Sequence, residues 1–169
     1  MKRIFYILIP LLAAANVFAC PLLESASAYT SHFKQTRQIT GLKMPIISVG
    51  NFSLTPGKEV IWETLEPFYS KVTISEDGFK VEDKVYSEGP FKELSSILLK
   101  LHSGNLKALD KEFSYHCEMV KDLKYHLLVK PKQSELARFF KDVEVIGVTK
   151  PEQIIFIDAR GDKTQVEFK

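Results

Sequence analysis

Serine, histidine, cysteine and paired carboxylates are the side chains with which a chain of 169 residues could do covalent or metal chemistry, and here they do not assemble. Ser48, Ser53 and Ser114 lie in alternating stretches without the G-x-S-x-G turn that exposes a nucleophilic hydroxyl. His116 and Cys117 are neighbours in a strand-like run and so point to opposite faces. His126 alternates with Tyr125 and Leu127 and faces water, while His32 and His102 have no partner set. Zinc needs three or four converging ligands, and this spacing does not supply them. The acids are scattered singly through polar turns, and "RGDKT" (160–164) reads as a hairpin turn rather than an adhesion motif. The expectation is a protein that is not an enzyme and uses no metal or cofactor.

The N-terminus carries a different kind of information. "MKR" is a short basic region, "IFYILIPLLAAA" an apolar one too short to span a bilayer comfortably, and "NVFA" ends in small residues before Cys20. Residues 1–19 read as a secretory signal peptide, leaving 20–169 as a single domain. Cleavage removes Lys2 and Arg3 but no acid, so 23 − 2 = 21 basic residues face 21 acidic ones. A neutral mature chain lacks the basic footprint of a nucleic-acid or anionic-membrane binder. In an oxidising compartment two cysteines commonly pair. For Cys20 and Cys117 three states stand open: a disulfide, lipidation of Cys20 (which bulky Phe18 disfavours) or free thiols.

The elements that position these residues are mostly strands. "TSHFKQTRQIT" (30–40) puts Phe33, Gln35, Arg37 and Ile39 on one face, and "PIISVGNFSLT" (45–55) groups Ile46, Ser48, Gly50, Phe52 and Leu54. "GKEVIWET" turns back at Pro56-Gly57 with Val60 and Trp62 on one side, and "YSKVTIS" and "FKVEDKVYS" pair about Asp77-Gly78. The period then changes. After Pro90, Phe91, Leu94, Ile97, Leu98 and Leu101 follow at helical spacing up to Gly104, and "NLKALDKEF" is a shorter helical turn. "FSYHCEMV" and "LKYHLLVKP" are strands, "QSELARFFK" is a second short helix presenting Leu136, Phe139 and Phe140, and "VEVIGV", "QIIFIDA" and "TQVEFK" end the chain as strands. An antiparallel sheet of about ten strands curls or closes rather than staying flat. Helices with apolar faces must bury them, most economically against its concave side. The pattern predicts an α+β domain, a half-barrel of about ten to eleven strands with two to three helices over the concave apolar face. Patterning alone leaves open whether that face encloses a cavity or a filled core.

"FKQTR" (33–37), "PIISVGNF" (45–52), "IWETLEPF" (61–68) and "GDKTQVEF" (161–168) together resemble the LolA-like outer-membrane lipoprotein carriers. The helix at 91–103, "ALDKEF", "YHLLVKP" and "ELARFFKDVEVIG" follow in the family's order, so the resemblance covers nearly all of the mature chain. It implies an unclosed antiparallel β-barrel capped by helices. It also implies a periplasmic carrier that takes acyl chains of lipoproteins or other amphiphiles from an inner-membrane transporter to an outer-membrane acceptor. Such a carrier is expected to be monomeric. A lipid-anchored acceptor of LolB type, or a carrier for a glycolipid or polyene lipid, is the alternative. Phe33, Phe52, Leu54 and Trp62 are the expected liners. Leu94, Leu98, Leu101, Phe139 and Phe140 are the expected lid faces. The family's arginine six residues before the tryptophan, which holds the empty cavity closed, is here Pro56, leaving Arg37 or Arg138 as substitutes.

Overall fold

The structure is a computed structural model that describes residues 27–88, 95–96, 99–100 and 110–169. Residues 1–19, expected as a signal peptide, and Cys20, Leu94, Leu98, Leu101 and His102 lie outside the described residues. Eleven strands form one antiparallel sheet: β1 (Tyr29–Gln38), β2 (Ile46–Thr55), β3 (Glu59–Glu66), β4 (Ser70–Ser75), β5 (Gly78–Val81), β6 (Lys84–Tyr86), β7 (Phe113–Met119), β8 (Tyr125–Pro131), β9 (Phe140–Gly147), β10 (Pro151–Asp158) and β11 (Lys163–Phe168). The spatial order is β6-β5-β4-β3-β2-β1-β11-β10-β9-β8-β7. Chain neighbours are therefore spatial neighbours except at the middle, where β1 pairs with β11, and at the edges, where β6 and β7 do not meet. The sheet is unclosed, and bulges at Val49/Gly50, Pro151/Gln153 and Ile157/Asp158 bend its strands as a half-barrel requires.

Alternation explains why these strands sit in one register. Across β1, β2, β3 and β11, Phe33 pairs with Gly50 and Phe168, Phe52 with Trp62, and Leu54 with Val60. A one-residue slip would turn that whole set to water. Gly50 is required where it stands: a Cβ there would run into the Glu63 carbonyl and lie 2.9 Å from the Phe33 ring. Gly57, with φ +69°, makes the β2–β3 turn, in the left-handed region that glycine adopts without strain. The run "FKVEDKVYS", read as one strand, is instead the hairpin β5–β6, turned at Glu82-Asp83 with Glu82 at φ 52°.

The expected helices need correcting. Among the described residues the continuous helix is a single turn, Ser134–Ala137, and not two or three helices. Ala137 N–H bonds back to Gln133, but the next bond, Phe139 N–H to the Leu136 carbonyl, already tightens the turn. Phe140 then enters β9 opposite Asp158. A nine-residue helical window rarely sustains itself, and strand pairing takes its end. Of the expected main helix, Ser95, Ser96, Leu99 and Lys100 are described and helical, with Ser95 and Leu99 buried one turn apart on one face.

Candidate binding face

The inner face of the sheet divides into two apolar clusters. The first contains buried Phe33, Phe52, Leu54, Val60, Val166 and Phe168, with Leu99 over them and with Tyr29, Trp62, Val72 and Phe79 only partly buried at its margin. Ring centroids lie 4.5 Å apart for Phe33 and Trp62, 5.4 Å for Phe52 and Trp62 and 5.2 Å for Phe52 and Phe168. Tilted and edge-on arrangements of this kind match the aromatic quadrupole. All four expected sheet liners are therefore together. Phe168 and Tyr29 join them, and the sequence signal for Phe168 was its place, two residues from Val166, in the alternating C-terminal run.

The second cluster holds Phe113, Tyr125, Leu127, Val129 and Phe140, with Leu136 of the short helix over it and Cys117 partly buried at its side. Phe140, expected as a lid residue, is a strand residue of this cluster, stacked on Phe113 at 5.8 Å. Phe139, its expected companion, is 50% exposed, because adjacent residues at a strand entrance point opposite ways. Burial pushes the phenols of Tyr29 and Tyr125 well above the ordinary tyrosine range, and Lys150 Nζ lies 5.6 Å from the centre of the Tyr29 ring.

Chemistry of a polar kind gathers elsewhere. On the outer face His126 sits between Glu118 (3.5 Å) and Glu144 (3.1 Å), a partner set that sequence spacing did not reveal because it spans β7, β8 and β9. His32 Nδ1 lies 2.8 Å from Asn51 Oδ1, and Asn51 in turn donates to Glu63, which also accepts from Tyr69. An open depression of about 530 Å³ on the outer side is lined by Lys58, Glu59, Thr73, Ser75 and Lys80. Among the described residues no group of three or more His, Cys, Asp or Glu stands together to hold a metal ion. Nor, among them, is any helix long and apolar enough to cross a membrane. "RGDKT" is a turn: the Asp158 carboxylate accepts from the backbone N–H groups of Arg160 (2.8 Å) and Asp162 (3.0 Å). Burial opposes ionisation of Asp158, but those N–H groups and the Arg160 guanidinium outweigh it and hold the carboxyl below its ordinary value. Asp162, 4% exposed, accepts from Thr40 N–H at 2.9 Å and ties this turn to the end of β1.

No protein-family model matches the chain, and no curated protein matches it. Solved structures do. A LolA superfamily protein from Nitrosomonas europaea is 9% identical over 88% of each chain, with a TM-score of 0.47. MucB is 12% identical with a TM-score of 0.47, over 88% of this chain and 54% of that one, so the chain spans about half the length of MucB. A putative outer membrane lipoprotein-sorting protein domain from Vibrio parahaemolyticus is 8% identical over 86% of this chain and 85% of that one, with a TM-score of 0.35. Overlaps this loose transfer no function by themselves.

Proposed function

We propose that the protein is a LolA-like periplasmic carrier that takes up the acyl chains of lipoproteins or other amphiphiles on the inner face of its sheet and moves them from the inner to the outer membrane. The observation that carries this reading is the first cluster. Aromatic and aliphatic side chains from adjacent strands meet on one face of an unclosed sheet, and Trp62, Tyr29 and Phe79 keep part of their surface uncovered at its margin. Each methylene taken from water onto such a surface contributes about 0.8 kcal/mol, so a single long chain is held without any covalent step. The motif order of the sequence supports the same reading. The partners it implies are an inner-membrane transporter and an outer-membrane acceptor, and the carrier works as a monomer.

Native mass spectrometry on protein secreted with its own signal peptide tests this. The expected result is the mass of residues 20–169, two hydrogens light if Cys20 and Cys117 are bonded, with a non-covalent amphiphile attached. A covalent diacylglycerol increment would make the protein an anchored acceptor. The bare mass, with no uptake of an apolar dye, would remove the carrier reading.

A further inference from the structure

The inner face is not apolar along its whole length. On β1 the residues that follow Phe33 on the same side are Gln35 and Arg37. Their cross-strand partners are Ser48 and Ile46 on β2, and Val166 and Thr164 on β11. Gln35, Arg37, Ser48 and Thr164 thus form a polar end to a face that is otherwise phenylalanine, tryptophan and aliphatic. Arg37 is half-buried, its Nε is shielded from water, and that nitrogen has no hydrogen-bond partner. Among the described residues no ion pair or side-chain hydrogen bond involves this guanidinium, and the buried carboxylate Asp162 at this end of the sheet is already engaged by Thr40 and Arg160. A guanidinium nitrogen withdrawn from water without a partner is costly to keep. At a binding site, a ligand supplies the missing acceptor.

The loops at this end add a second observation. Arg37 stands just before the β1–β2 loop, and the β3–β4 loop lies at the same end, since Val49 pairs with Glu66. These loops expose Leu42, Met44 (78%), Phe68 (82%) and Tyr69. An apolar rim, a cation just inside it and an aromatic wall beyond reproduce, in reverse polarity, an amphiphile with an anionic head.

We propose that Arg37 is the headgroup end of the binding face, taking the oxyanion of a phosphate- or carboxylate-headed amphiphile whose acyl chain lies on Phe33, Phe52 and Trp62. Guanidinium suits this role because its parallel N–H groups meet an oxyanion in a bidentate, charge-assisted pair. The inference rests on the carrier reading and adds the class of cargo to it. It also gives Arg37 a task other than closing an empty cavity.

The test is a titration of the mature protein with two probes that share one acyl chain, palmitoyl lysophosphatidic acid and monopalmitoylglycerol, with inorganic phosphate as a third arm. Wild type should bind the anionic lipid at least about 10-fold more tightly than the neutral one, the scale expected of a hydrogen-bonded charge. Arg37→Gln should abolish that ratio and leave monopalmitoylglycerol affinity unchanged. Arg37→Lys should restore part of the ratio, and Lys34→Gln, at an exposed position on the outer face of the same strand, should leave both affinities unchanged. Millimolar phosphate should not displace the lipid. The melting temperature of Arg37→Gln should equal or exceed that of wild type, because no partner is lost. An unaltered ratio in Arg37→Gln, a fall in its stability with both affinities reduced alike, or displacement by phosphate would each overturn the headgroup assignment. In those cases the carrier reading survives wherever monopalmitoylglycerol still binds. Failure of wild type to bind either lipid would overturn the carrier reading itself, and this inference with it.

Discussion

One sheet carries two apolar clusters, and they differ in how they are finished. The cluster on β7–β10 is capped by Leu136 from the chain's own short helix, and its Tyr125, at 0% exposure, is wholly enclosed. The cluster on β1–β4 and β11 has Leu99 over its centre, but Trp62, Tyr29, Val72 and Phe79 remain partly open, and its far end is the polar group around Arg37. The first half is covered by Leu136, although Tyr115, Cys117, Val143, Val145 and Phe156 stay partly open at its edge. The second is the face that the carrier reading proposed above gives to the amphiphile. On the proposed reading, binding falls on β1–β4 and β11 and not on β7–β10, so that substitutions should separate it from stability.

The sharpest separation comes from Phe140→Ala. It removes a ring stacked on Phe113 and set 5.5 Å from Phe156, so a loss of about 3–5 kcal/mol is expected by denaturant titration. Protein that remains folded should keep its acyl-chain affinity. Trp62→Ala should show the inverse pattern, with weakened binding and a smaller cost in stability, since the indole is already partly exposed. Equal effects of both substitutions on binding would erase the division between the clusters.

Next in size is the tie between the domain and its N-terminus. If Cys20 and Cys117 are bonded, the bridge ends beside the closed cluster, where Cys117 packs. Cys20→Ser should then leave the protein soluble and lower its stability by about 2–5 kcal/mol. An unchanged melting temperature in non-reducing buffer would rule the bridge out. Gly50→Val should cost about 1–3 kcal/mol, because its side chain would displace either the Glu63 backbone or the Phe33 ring. Its effect should fall on the open cluster, lowering acyl binding as well.

The smallest expected effect is at the Asp158 turn. The folded carboxyl is held below its ordinary value, so its contribution is present above about pH 4 and disappears as pH falls through the lowered value. Asp158→Asn should melt earlier than wild type at pH 7 and match it in strong acid. A difference between the two that persists unchanged to low pH would contradict the role assigned to those N–H bonds.

Much of the open cluster was legible in the sequence. Period-two alternation places Phe33, Phe52, Leu54 and Trp62 on one face whatever their partners, and strand pairing then brings them together. The hairpins at Gly57 and Gly78 were legible because left-handed backbone leaves a glycine signature. Other features depend on pairing that one sequence does not disclose. The second helix shrank to one turn because β9 claimed Phe140, a competition that helix periodicity alone does not register. Glu82 turned a hairpin without glycine. The His126 carboxylate pair and the lack of a partner for Arg37 Nε among the described residues are properties of neighbouring strands, and become visible only with the register.

Trp62 is the one tryptophan of the chain and stands in the open cluster, which makes it a reporter placed by the sequence itself. The most direct test of the account is the quenching of its fluorescence by an amphiphile brominated along the acyl chain, against the same amphiphile without bromine. The account predicts saturable quenching by the brominated lipid alone, because the chain lies against the indole. Binding of both lipids, shown by an independent titration, with no bromine-dependent quenching would place the acyl chain elsewhere and contradict it.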